Sequence, residues 1–192
     1  MTTVSDFIAA LQREASDGRK RGAPPVDKWN PPYCGDSFIE ILADGSWRHE
    51  GVRMTRDSLV RLFASILRKD DDGIVYLVTP VEKVSVKVAD APFVAVRADR
   101  DGAGHAQTIA FTTNVGDVTP AGPDNPIRVE MHEGTPRPYV LVRGRLEARI
   151  LRAPFYELVA WAEEEATPEG PRLGVWSQGA FFPLGAVGAH LQ

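Results

Sequence analysis

Residues 55–93, TRDSLVRLFASILRKDDDGIVYLVTPVEKVSVKVADAPF, carry the clearest structural instructions in the chain. Leu59, Leu62, Phe63 and Ile66 recur at helical spacing, with Leu67 on the flank and Arg61, Ser65 and Lys69 turned away. One stripe is apolar, so the helix must pack. Thr55 is the expected N-cap, Asp57 sits in the positive first turn, and Arg68 and Lys69 complement the negative end. Asp70-Asp71-Asp72-Gly73 is expected to stop the helix. Residues 74–78 and 84–88 are then β-branched runs, and Thr79-Pro80-Val81-Glu82 offers a turn with proline in second place. In the second run Val84, Val86 and Val88 alternate with Ser85 and Lys87, which gives the strand a buried and a wet face. The stretch reads as a helix followed by a hairpin.

Towards the N-terminus, Phe38, Ile39 and Ile41 predict a strand, Asp44-Gly45 a hairpin turn, and residues 46–50 a return strand. Alternation on that strand places Trp47 and His49 opposite Arg48 and Glu50. Before it, Trp29-Asn30-Pro31-Pro32-Tyr33-Cys34-Gly35 is a rigid entry segment, because its prolines fix φ and remove donors. Val4, Phe7, Ile8 and Leu11 have the spacing of a short amphipathic helix, and residues 16–27 read as a linker.

Towards the C-terminus, residues 92–96, 109–113, 127–131 and 139–150 predict strands, the last one bent or bulged at Gly144. Residues 99–104 and 114–126, rich in glycine and proline, read as loops. Pro154 is expected at the first position of a helix bearing Phe155, Leu158, Val159 and Ala162 on one face and ending in Glu163 to Glu165. Residues 173–177 and 180–184 make a final pair of strands. Both halves therefore show strands, one helix and a hairpin, with Tyr76 and Trp176 at comparable places. The expected fold is α+β, built of two related strand-helix-hairpin units: residues 1–27 an N-terminal helix and linker, 28–90 the first unit, 91–192 the second.

A chain of 192 residues, 43% hydrophobic and 25% charged, has the composition of a globular protein with a real core. A net charge of −4 spread over both signs argues against general nucleic-acid or anionic-membrane binding. No apolar run has the length of a membrane span or signal peptide, and one cysteine forms no internal disulfide, so the expected location is cytoplasmic.

Chemistry is harder to place. Cys34 reads as a packed, inert thiol, since the sequence shows no base within reach and free cysteine is usually buried. The four histidines lack metal-ligand spacing, and no phosphate loop, dinucleotide fingerprint or serine elbow is present. No metal or cofactor is expected, and no enzyme activity is read. The informative set is cationic. Along 139–151, Arg143, Arg145 and Arg149 occupy odd positions against a core face of Val140, Val142, Leu146 and Ile150. Guanidinium groups suit phosphate or carboxylate, so this strand reads either as an anion-binding face or as a charged surface partnered by Glu147. In the first reading Lys83, Arg143 and Arg145 pair with an anion, Trp47 and Phe93 stack, and His49 and Asn114 hydrogen-bond.

Trp29-Asn30-Pro31-Pro32, Cys34-Gly35, Asp44-Gly45-Ser46-Trp47 with His49 and Gly51, and Leu59 to Phe63 form a distinctive series. It continues through residues 77–83, Asp90-Ala91-Pro92-Phe93, Phe111-Thr112-Thr113-Asn114 and residues 139–152. On these strings the chain resembles the bacterial domain-of-unknown-function family 1285 over residues 28–160. The resemblance implies two related α+β units, the second loosely like a pleckstrin-homology barrel, and no established enzyme activity. It also implies a ligand at the interface of the units, nucleotide-like and linked to signalling. The resulting expectation is a regulatory protein binding a small anionic ligand. The alternatives are an interaction module docking a protein partner through its N-terminal helix or a strand edge and, third, an unrecognised hydrolase.

Overall fold

The computed structural model describes residues 24–168 and 170–186. The expected helix around Val4 to Leu11 and most of the linker lie outside the described residues. Among the described residues two compact units emerge, one made of 24–41 together with 46–88, the other of 42–45 together with 89–168 and 170–186.

The first unit enters through a 3₁₀ turn, Val26–Lys28. It continues through β1 (Tyr33–Ile41), β2 (Trp47–His49) and β3 (Val52–Arg53), then α1 (Asp57–Ser65). A second meander follows: β4 (Leu67–Lys69), β5 (Val75–Val78) and β6 (Lys83–Val88). The six strands form one sheet in the order β3-β2-β1-β6-β5-β4, all antiparallel except the central β1/β6 pair. Ile39, Ile41, Trp47, Phe63, Ile66, Leu67, Leu77 and Val78 are buried at 1% exposure or less.

This corrects the reading of the decisive stretch. The helix ends at Ser65, not at Lys69, and Leu67, Arg68 and Lys69 form a strand opposite Leu77, Tyr76 and Val75. The apolar stripe continues through Ile66 and Leu67 in either conformation, and pairing with the β-branched run decides for the strand. Asp70 to Gly73 is consequently a hairpin turn: Gly73 donates to the Asp70 carbonyl and the Ile74 N–H to the Asp72 carboxylate. Thr55 is not the cap either; Arg56 holds that position with no side-chain hydrogen bond. The Thr79–Glu82 turn forms as its sequence predicts, with Thr79 Oγ1 accepting from the Glu82 N–H at 3.1 Å.

The second unit begins with the meander β7 (Phe93–Asp101), β8 (Thr108–Thr113) and β9 (Val118–Pro120). It adds the meander β10 (Ile127–His132), β11 (Thr135–Arg143) and β12 (Leu146–Ile150). Their sheet runs β10-β11-β12-β7-β8-β9, again with one parallel pair, β12/β7, at its centre. Read from the other edge, the order is first meander outward-to-centre, then second meander centre-to-outward, the same as in the first unit. The helices do not follow this symmetry. In the first unit α1 joins the two meanders; in the second the corresponding link is the loop before Ile127, and α2 (Arg152–Ala160) comes after both. A three-stranded sheet, β13 (Glu163–Thr167), β14 (Gly170–Ser177) and β15 (Ala180–Ala186), completes the unit. The described chain is thus mostly β with two helices, α+β in that sense.

Three further expectations are corrected here. Residues 139–150 are not one strand bent at Gly144. A two-residue turn at Gly144-Arg145 folds β11 onto β12, and a bulge between Leu141 and Arg143 keeps Val142 and Leu146 both buried. Pro154 is not the first helical residue, because α2 starts at Arg152. Glu163 to Glu165 do not end that helix; they pair with Gly174, Leu173 and Arg172 as an edge strand.

Buried polar groups join the three-stranded sheet to the six-stranded one within the second unit. Ser177 Oγ donates to Ala121 O at 2.7 Å and accepts from Ile109 N at 2.9 Å, and Gln107 Nε2 donates to Trp176 O at 2.8 Å. Each satisfies a group that would be costly to bury alone.

Candidate functional site

In the second unit, Phe93, Asn114 and Arg143 come together. Phe93 opens β7 and is fully buried. Arg143 ends β11, and its guanidinium carbon lies 5.0 Å from the centre of the Phe93 ring. The same guanidinium donates to Asp117 Oδ2 at 2.5 Å, the two side chains being 27% and 38% exposed. Asp117 belongs to the β8–β9 turn, which is tightly held: Thr113 N donates to Asp117 O at 2.8 Å, and Asp117 N to Thr113 Oγ1 at 3.1 Å. Asn114, in that turn, accepts from Val94 N at 3.1 Å and donates from Nδ2 to Gly45 O at 3.0 Å. Arg145 stands exposed in the neighbouring Gly144-Arg145 turn. The result is a half-exposed guanidinium held in place by a ring, a carboxylate and a rigid turn.

The first unit does not assemble its candidates in this way. Trp47 is 1% exposed, a core residue whose indole Nε1 is buried without a hydrogen-bond partner among the described residues. His49, half-buried, lies opposite Ile39 on β1, whereas Lys83 pairs with Tyr33 at that strand's other end. Lys83 binds Asp70 Oδ2 at 2.7 Å and lies 4.4 Å over the Tyr76 ring. Asp70 also takes Arg68 Nε at 2.6 Å, and Arg68 donates onward to the carbonyls of Val26 and Trp29. This network fastens the entry segment to the sheet. The hydrogen bond from Arg68 does most to hold the Asp70 carboxyl below its usual range; burial, next in size, opposes it, and Lys83 adds to the lowering. The hydrogen bond that Tyr76 gives Asp72 pushes its phenol up to about 12, with burial adding to it.

The remaining charges on the arginine face have partners that the sequence did not name. Arg149 approaches Asp90 Oδ2 at 3.4 Å, while Tyr139 donates to Asp90 Oδ1 at 2.8 Å. Glu147 is taken by Arg128 of β10 through two bonds of 2.5 and 2.7 Å, and Glu130 also binds Arg128. Asp117 and Asp90 were hidden because each sits in a turn-like run whose composition reads only as loop. Cys34 corrects another expectation: it is exposed, its Sγ 3.6 Å from Pro32 O, because the start of β1 is bulged against β6. Among the described residues no three His, Cys, Asp or Glu side chains gather as a metal site, and no helix is long and apolar enough to cross a membrane.

Comparison with known proteins adds a family and two structures. Residues 24–91 match the model described as the domain of unknown function DUF1285, N-terminal domain, and residues 92–184 match that of its C-terminal domain. A crystal structure of a DUF1285 family protein from Silicibacter pomeroyi DSS-3 is similar at 46% identity and a TM-score of 0.83, over 92% of this chain and 95% of that one. A second, from Shewanella baltica OS155, is 28% identical with a TM-score of 0.52, over 65% of this chain and 91% of that one. No curated protein matches the sequence.

Proposed function

Since the chain belongs to the DUF1285 family, whose two domains are of unknown function, we propose from its own side chains that it is a non-enzymatic regulatory protein whose second unit binds a small anion. The observation that supports this is Arg143, whose guanidinium lies over the Phe93 ring with its position fixed by Asp117. A planar, pre-oriented guanidinium binds phosphate or carboxylate with less ordering cost than a free side chain, and Arg145 in the next turn supplies a second positive charge. The burial of Phe93 and Trp47 favours a compact phosphate- or carboxylate-bearing metabolite over one that stacks a base on either ring. A signalling role and a cytoplasmic location belong to the same reading.

The shared strand order of the two sheets supports an internal duplication. The likeness of the second unit to a pleckstrin-homology barrel is supported by a helix following its six-stranded sheet and weakened by the parallel β7/β12 pair. Lipid binding does not follow from such a likeness, since function resides in sites.

The test is thermal unfolding against a panel of nucleotides, cyclic dinucleotides and other phosphorylated or carboxylated metabolites. A ligand present at about 100 times its dissociation constant adds about 2.7 kcal/mol, a shift of several degrees. A shift lost in Arg143→Ala supports the site. An unmoved midpoint across the panel removes the anion reading and leaves protein docking as the better account.

A further inference from the structure

A second feature, on the sheet of the first unit, is independent of Arg143. Arg53 on β3 stands directly opposite Arg48 on β2, Arg48 opposite Glu40 on β1, and Glu40 opposite Lys87 on β6. Directly paired residues project to the same side of a sheet, so four charged side chains form one row about 14 Å across, at roughly 4.8 Å per strand. The carboxylate within the row is engaged by Lys87 at 2.8 Å. Neither Arg48 nor Arg53 forms a salt bridge among the described residues, and both are exposed. Like charges directly opposite one another destabilise a strand pair. Here two guanidinium groups share such a position on a strand of only two residues.

Two residues before Glu40, Phe38 is 63% exposed and has φ of 56°. A side chain other than glycine in the left-handed region costs about 1–2 kcal/mol. Local bonds hold it there: Phe38 N donates to Asp36 Oδ1 at 2.8 Å, Glu50 N donates to Phe38 O at 3.0 Å, and β1 is bulged on β6 between Asp36 and Glu40. The sheet thus keeps two unfavourable features side by side: a directly opposed arginine pair whose neighbouring carboxylate, Glu40, is hydrogen-bonded by Lys87, and an exposed Phe38 with a strained backbone.

We propose that this face, β3-β2-β1-β6 of the first unit, is a docking surface for an acidic segment of a partner protein that also carries an apolar side chain. Carboxylates of the partner bridge Arg48 and Arg53 and remove their mutual repulsion, while Phe38 supplies the apolar anchor. Arginine and aromatic residues are the types enriched where protein interfaces carry their binding energy. The row is too short, and too interrupted by Glu40, to follow a phosphate backbone, which takes many phosphate contacts to hold.

The test uses the full chain and a short fluorescein-labelled peptide of alternating glutamate and leucine, read by fluorescence anisotropy at low salt. The wild type binds, and Arg48→Gln with Arg53→Gln weakens binding about tenfold while circular dichroism stays unchanged. Phe38→Ala weakens it several-fold, and an all-glutamate peptide binds less tightly than the alternating one. No binding of the alternating peptide to the wild type, or equal affinity for the double glutamine variant, overturns the proposal. So does tighter binding of a single-stranded oligonucleotide, or of vesicles rich in phosphatidylserine, through the same arginines.

Discussion

The side-chain amide of Asn114 donates to the carbonyl of Gly45 at 3.0 Å, joining the Leu42–Gly45 turn to the β8–β9 turn within the second unit. Gly45 has φ of 81°, and a Cβ built on it would stand 2.7 Å from Val94 Cγ2 and 2.9 Å from Asn114 Nδ2. Gly45→Ala therefore meets both a left-handed backbone and a closed space. It is expected to lower stability by about 2–4 kcal/mol, combining the conformational cost with that of overpacking. Asn114→Ala leaves the Val94 N–H and the Gly45 carbonyl without their partner and costs about 1–3 kcal/mol. Chemical denaturation of the two variants checks both figures; a neutral Gly45→Ala would show that the turn can move away.

Phe38→Gly is expected to be neutral or to raise stability by up to about 1 kcal/mol. Glycine removes a left-handed cost of about 1–2 kcal/mol and returns about 0.5–1 kcal/mol in unfolded-chain entropy. A ring 63% exposed gives up little burial on removal. A buried phenylalanine replaced by a small residue would instead cost about 3–5 kcal/mol. Urea midpoints separate these outcomes, and a loss in the larger range would mean that the ring packs in solution.

Much of the first unit was legible because its elements obey one rule each. The Thr79–Glu82 turn needed no tertiary information, and the valine alternation of residues 84–88 marked the strand, although only Val86 of its three valines is buried. The strand Leu67–Lys69 was not legible, because Ile66 and Leu67 continue a helical stripe and only their pairing with Val75 to Leu77 selects extended backbone. Glu163 to Glu165 misled for the same reason: glutamate favours helices locally, and an edge strand opposite Arg172 and Leu173 overrode that preference. The arginine alternation at 143, 145 and 149 was real as spacing but not as one strand, since the bulge and the Gly144-Arg145 turn intervene. Of the candidate residues, Phe93, Asn114 and Arg143 were brought together by β7, β11 and the β8–β9 turn. Asp117, which completes that group, had no signal beyond its place in a turn.

The pairing of Asp70 with Arg68 and Lys83 makes the first unit sensitive to acid. Its carboxyl is held below its usual range in the folded state, so the unfolded chain binds the proton more readily. The stabilisation is therefore fully present above the unfolded value of about 3.9 and is lost as pH falls through the lower folded value. Asp70→Asn removes this dependence and leaves Arg68 and Lys83 facing one another without the carboxylate. The variant is expected to be less stable than the wild type at pH near neutral, with the gap narrowing below about pH 4. Denaturation midpoints measured across that range decide it; parallel curves would show that Asp70 does not contribute.

Arg53→Glu gives the sharpest test of whether the arginine pair is kept at a cost to the fold. Arg53 faces Arg48 across the β2/β3 pair, and replacing a like charge by an opposite one in that position is worth about 0.2–1 kcal/mol. The substitution sits on an exposed edge strand and disturbs no hydrogen-bonded side chain among the described residues. A higher unfolding midpoint at low salt is expected, and the gain should shrink as salt screens the pair. If the same variant also loses the acidic peptide, the surface trades stability for recognition, as binding sites commonly do. An unchanged midpoint at low salt would mean that solvent already screens the two guanidinium groups, leaving Phe38 as the strained element of that face.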